Sequence, residues 1–137
     1  MLGKITLRGT SNNEERYGYR ITDAAITNAN KADYIGRAVE IDATQDCAVK
    51  LATDGGAIYG RILTIEVEMT GEKLVTVETL GGLNLPVLTG VTTLTRGVTP
   101  LGAGNGFIKN GTVVSTRVFV VDTSSIAVDR TATVMFH

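Results

Sequence analysis

The chain has little with which to perform covalent chemistry. Its 137 residues include one cysteine, one histidine and no tryptophan, and 5% are aromatic. Cys47 by itself forms no disulfide within the chain, and with His137 as the sole imidazole no Cys/His zinc cluster can be assembled. A serine or cysteine nucleophile generally needs a neighbouring base, and the one histidine is the last residue. Cys47, within "DCAVKLA", is expected to be a small buried strand residue and His137 a solvated one. We expect no enzymatic activity, no metal and no cofactor.

Charge and long apolar runs are equally scarce. Thirteen basic residues stand against fourteen acidic ones, a formal charge of −1, and no block of five like charges makes a basic stripe. Phosphate neutralisation by Lys and Arg supplies most non-specific nucleic-acid affinity, so no direct nucleic-acid partner is expected. No apolar run approaches the ~20 residues that cross a bilayer, and no membrane partner is expected. "MLGKITLRGT" lacks the apolar core of a secretory signal, so synthesis in the cytoplasm is the natural reading. Length and 43% hydrophobic residues predict one ordinary domain with one core, large enough to need no disulfide.

The carboxylates and glycine loops are accounted for without chemistry. Asp42, Asp46 and Asp54 lie in or near turns, Glu66 and Glu68 share one strand face, and Asp122 and Asp129 flank a turn. None forms the calcium-loop pattern. Phosphate-cradling loops feed a helix whose N-terminal amides hold the anion, whereas Asp54-Gly55-Gly56 is followed by a strand pattern, "AIYGRILTIEVEM". It is read as a hairpin bend. "GAGNG", residues 102–106, lacks the third glycine of a dinucleotide loop and is read as a flexible loop.

What the chain does have is short β-rich runs. From Tyr34 onward "IGRAVEI", "CAVKLAT", "AIYGRILTIEVEMT" and "LVTVETL" follow one another between polar turns, as an antiparallel meander would. In the third run Ile62, Thr64, Glu66 and Glu68 fall on one face, opposite Leu63, Ile65, Val67 and Met69. Pro86 in "LNLPVLTGVTTL" donates no ladder bond and marks a strand start, an edge or a bulge. Asn110-Gly111 suits a type I′ hairpin, and "SSIAVDRTATVMFH" supplies a closing strand through Ile126, Val128, Thr131, Thr133 and Met135. The expected fold is all-β, a small antiparallel sandwich or partly closed β-barrel spanning 34–137, with an extended N-terminal arm over 1–33.

The arm is the stretch with interface character. "GTSNNEERYGYRITDAAITNANKADY" is polar and has no sustained period, and such segments usually serve a function or order against a partner. Its alternative is a terminal strand tied into the domain, followed by a surface loop. "EERYGYR" places Tyr17 and Tyr19 beside Arg16 and Arg20, residue types enriched in interface hot spots; equally, the rings would pin the arm to its own domain.

Taken in order, "ADYIGRAVEID", "CAVKLATDGGAIYGRILTIE", "VTVETLGGLNLPVLTG" and the closing strands resemble the small capsid cement, or head decoration, proteins of tailed bacteriophages. In that family a strand ending in "V-K-L-A" leads through a glycine turn into a "G-x-I/V-L" strand, here Gly60-Arg61-Ile62-Leu63. The resemblance runs over residues 34–135 and carries no catalytic signature. It implies a homodimer or homotrimer on the outer surface of the virion capsid, bound to the major capsid protein and made in the host cytoplasm. It also implies that the N-terminal segment contacts the shell or a neighbouring subunit; Ile5, Leu7, Arg8, Arg16, Tyr17, Tyr19 and Arg20 are the candidate contacts. Rival readings are a β-structured tail or spike module and a small-molecule-binding β domain.

Overall fold

The computed structural model describes residues 16–137, apart from the side chains of Arg16 and Tyr17. Strands β1 (Arg16–Ile21), β2 (Ala38–Ile41), β3 (Ala48–Leu51), β4 (Gly60–Val67) and β5 (Lys73–Glu78) close into a ring in the order β1-β3-β2-β4-β5. Closure leaves no free edge in this unit. All its pairings are antiparallel except β1 with β3. A short 3-10 turn, Lys31–Tyr34, lies on the long connection from β1 to β2.

The second half is built from β6 (Gly81–Pro86), β7 (Leu101–Gly104), β8 (Phe107–Lys109), β9 (Val118–Asp122), one helical turn α1 (Ile126–Asp129) and β10 (Thr131–Phe136). These form a three-stranded sheet ordered β6-β10-β9 and a β7-β8 hairpin. Pro86 ends β6, the edge strand of its sheet, where a missing donor is tolerated. The fold is therefore all-β, with the barrel formed by its first five strands.

Length predicts one core, yet the described residues contain two. Val39, Val49, Ile62, Ile65, Val75 and Val77 fill the ring with Tyr19 and Ile21. Leu83, Leu85, Val87, Ile108, Val120, Val134 and Phe136 form the second core. Ala38 and Ala52 belong to the second, being small residues on the outer wall of the barrel. That smallness lets the β7-β8 hairpin approach: a Cβ on Gly102 would lie 2.3 Å from the Thr53 carbonyl oxygen. Gly102 exchanges hydrogen bonds with Gly55 and Gly56, and Gly106 links Ala38 to Ala52 through its own carbonyl and amide.

Several local expectations are corrected. The Asp54-Gly55-Gly56 turn has Gly55 at φ +84 and closes with Gly56 N–H donating to Thr53, but it is not a hairpin bend. It joins β3 to β4, which do not pair with each other and instead flank β2. "GAGNG" is not a loose loop either: Leu101–Gly104 is a strand, turned into β8 by Gly104, Asn105 and Gly106, all at positive φ. Asn110-Gly111 makes no type I′ turn, since neither residue has positive φ. Gly111 is there because a Cβ would sit 2.0 Å from the Thr99 carbonyl oxygen.

Strand faces also shift. A bulge between Ile62 and Thr64 lets both Ile62 and Ile65 point inward, breaking the strict alternation expected of β4. In β10 the core residues are Ala132, Val134 and Phe136, one register off the expected set, because α1 takes up Ile126–Asp129 and restarts the alternation. Cys47 is not a buried strand residue: it is half-buried and takes a left-handed turn conformation, φ +51, just before β3.

Candidate interaction surface

Four of the seven candidate contact residues are among the described residues. Ile5, Leu7 and Arg8 lie outside the described residues. Arg16, Tyr17, Tyr19 and Arg20 all belong to β1, where Arg16 is opposite Glu78 and Tyr17 opposite Val77. The expected arm boundary at residue 33 therefore differs from the structure, in which the chain is barrel wall from Arg16. Tyr19 is 7% exposed, its ring edge-on to Tyr59 at 5.7 Å and its hydroxyl 2.5 Å from the Tyr59 hydroxyl. Burial, and then the hydrogen bond with Tyr59, push the Tyr19 phenol well above its ordinary range. Tyr19 thus pins the first strand to its own domain.

Arg20 is committed in the same way. Its Nη2 donates to the Asp46 carbonyl at 3.0 Å and its Nε lies 3.9 Å from Glu72. It lines a polar cleft of about 350 Å³ with Thr22, Gln45, Glu72 and Lys73, whose amine donates to the Asp23 carbonyl. Beside it Asp42 accepts from the hydroxyls of Thr22 and Thr44, at 2.7 and 2.6 Å, and from the Thr44 amide. The Thr22 hydroxyl first, then Thr44, hold the Asp42 carboxyl down at about 2. These contacts tie the β2-β3 turn to the end of β1.

Charged groups at the junction of the two cores are structural too. The Arg37 guanidinium lies between the Tyr34 and Phe107 rings, 4.5 and 4.9 Å from their centroids, and donates to Asn105. Arg61 holds buried Glu78 through Nη2 at 2.6 Å and Nε at 3.1 Å, while its Nη1 reaches the Asn84 carbonyl in β6. Among the described residues no three His, Cys, Asp or Glu side chains gather as metal ligands would.

Among the described residues, one sheet edge without charged side chains stands out. Residues 97–99 extend the β6-β10-β9 sheet, Gly97 donating to Val120 and Val120 to Val98. Residues 113–115 add outside them: Thr99 donates to Val113, Ser115 donates to Gly97, and Val98 faces Val114. In this arrangement the N–H and C=O of Val114 point away from the sheet. Val113 and Val114 are 64% and 77% exposed, the one adjacent pair among the exposed large apolar side chains of the described residues. On the face shared by Thr99, Leu101, Val113 and Ser115 lies an apolar cleft of about 280 Å³.

This edge is hidden in the sequence, where "NGTVV" reads as a hairpin turn and its strand. The usable signal is "TVVST", four of whose five residues are Thr or Val, with no charge or proline to guard them. Comparison with protein-family models, with curated proteins and with solved structures finds no match to this chain.

Proposed function

We propose that the protein is a structural cement that binds the outer surface of an assembled phage head and bridges its coat subunits. The reading starts from the sequence resemblance over residues 34–135. The observation that carries it in the structure is the exposed, unguarded edge at Val113-Val114, standing on a body whose Arg20, Arg37, Asp42, Arg61 and Glu78 are spent on internal contacts. Such a body suits stable docking better than turnover. Ile5, Leu7 and Arg8 remain candidate shell contacts, and Tyr19 does not.

A cement binds the assembled shell and not its separated subunits. Mass action then stabilises the assembly by RT ln(1 + [L]/Kd) per site, about 2.7 kcal/mol at a hundredfold excess over Kd. Identical sites repeat the gain over the whole head. Quantitative mass spectrometry of purified virions tests the proposal by comparing copies of this chain with copies of the coat protein. Numbers within a few fold support a shell-wide cement, and a trace or absent signal removes that role. Co-sedimentation with assembled heads but not with free coat protein is the matching binding result.

A further inference from the structure

We infer that Asn110-Gly111 is a self-modification site, at which the Asn110 side-chain amide is converted through a cyclic imide to aspartate or isoaspartate at the foot of the 113–115 edge. The reaction needs an asparagine followed by a residue whose main-chain nitrogen is unhindered, which glycine provides because it has no Cβ. Asparagine precedes glycine twice in the chain, at 105–106 and 110–111, and Asp54-Gly55 is the corresponding acid pair. The fold places these pairs in different surroundings.

At two of them the nucleophile is taken. Gly106 is buried and its N–H donates to the Ala52 carbonyl at 3.1 Å, while the Gly55 N–H donates to the Gly102 carbonyl at 2.9 Å. Both bonds hold the β7-β8 hairpin on the barrel, so freeing either nitrogen requires that junction to open. Gly111 differs. Its N–H makes no hydrogen bond among the described residues, and Asn110 and Thr112 on either side of it are exposed. Water and hydroxide reach this peptide bond.

The Asn110 side chain is held by Thr95. The Thr95 N–H donates to Oδ1 at 3.1 Å, and Nδ2 donates to the Thr95 hydroxyl at 3.0 Å. Hydroxide removes the Gly111 amide proton, and the nitrogen adds to Asn110 Cγ. Negative charge then builds on Oδ1, at which the Thr95 N–H already points, and a donor aimed at that oxygen lowers the barrier. The Cγ–Nδ2 bond breaks, and Nδ2 takes a proton from water and leaves as ammonia, regenerating the hydroxide. A second water opens the imide at either carbonyl. Opening on the side-chain carbonyl gives aspartate, and opening on the main-chain carbonyl gives isoaspartate, in which the chain runs through Cγ.

Either product puts a carboxylate beside an edge that has no charge. Isoaspartate also lengthens the main chain by one carbon next to Gly111, where a Cβ would already lie 2.0 Å from the Thr99 carbonyl oxygen. The edge is thereby altered by time and alkalinity, without a partner.

The test uses the purified full chain, kept at physiological temperature and mildly alkaline pH. Trypsin cuts after Arg96, Lys109 and Arg117, so peptides 97–109 and 110–117 report the two asparagines separately by mass spectrometry. A parallel sample in guanidinium chloride gives the rates of the unfolded chain. Expected is conversion of Asn110 in the folded chain within about threefold of its unfolded rate, and of Asn105 at least ~10-fold below its own. A folded Asn110 rate no greater than that of Asn105 overturns the inference. Labelling with an isoaspartyl methyltransferase is the second readout, applied to the aged parent and to a folded Asn110→Gln variant, whose longer side chain closes the ring far more slowly. Label lost in the variant supports the inference, and equal label in both overturns it.

Discussion

Tyr19 and Tyr59 meet hydroxyl to hydroxyl at 2.5 Å across the inside of the barrel wall, forty residues apart in the chain. Because Tyr19 is on β1, this contact ties that strand to the inside of the barrel. Tyr19→Phe removes one hydrogen bond and is expected to cost about 1 kcal/mol, whereas Tyr19→Ala also empties ring volume and costs about 3 kcal/mol. Denaturant unfolding measures both. The raised Tyr19 pKa gives a sign: ionisation is disfavoured in the folded state, so stability falls as pH rises above the ordinary phenol value of about 10. Ultraviolet titration should leave a phenol un-ionised at that pH until the chain unfolds, and Tyr19→Phe should remove that delayed step.

Asp42 predicts an acid-sensitive turn. Its folded carboxyl is held near 2, below the unfolded value of about 3.9, so its contribution is complete above that value and is lost as pH falls towards 2. Asp42→Ala is expected to lower stability at neutral pH by on the order of 1 kcal/mol and to flatten the acid limb. Melting temperatures of parent and variant between pH 5 and pH 2 check this. Curves that stay parallel over the window would remove Asp42 as the cause.

Arg61 and Glu78 form the junction between barrel and second sheet, with Glu78 buried and Arg61 partly exposed. Breaking such a pair from one side strands the remaining charge. Arg61→Ala should therefore cost about 3 kcal/mol, while Arg61→Lys retains charge but loses the forked geometry and costs less. Equilibrium unfolding of the two variants gives the order, and equal losses would show that charge is irrelevant at this site.

The β2, β3, β4 and β5 strands are legible as short β-rich runs between turn signals, with clear alternation in β5. The ring they form is not, since parallel pairing of β1 with β3 is a long-range contact that no local period encodes. Tyr19 shows the ambiguity: beside two arginines in "RYGYR" it has the composition of a hot spot, and burial alone decided its role. Gly102 and Gly104 read as loop residues for a related reason. Composition cannot distinguish a glycine that bends a loop from one that lets another strand approach. The Val113-Val114 edge was hidden by the Asn110-Gly111 signal, whose glycine is required by proximity to Thr99 and not by turn geometry.

Gly102 gives the sharpest test of how the two cores are joined. Gly102→Ala puts a methyl group 2.3 Å from the Thr53 carbonyl, so the β7-β8 hairpin must move off the barrel. Gly90→Ala meets open space and suffers only the strain of φ +96, about 1 kcal/mol. The first change should cost at least ~2 kcal/mol by overpacking. Its effect should also be local: the Gly55 and Gly102 amides, which bond across the junction at 2.9 and 2.8 Å, should lose hydrogen-exchange protection. The amides of β4 and β5 inside the barrel ladder should keep theirs. If protection falls equally in both halves, the two cores unfold as one cooperative unit, and the junction is no weaker than the barrel it adjoins.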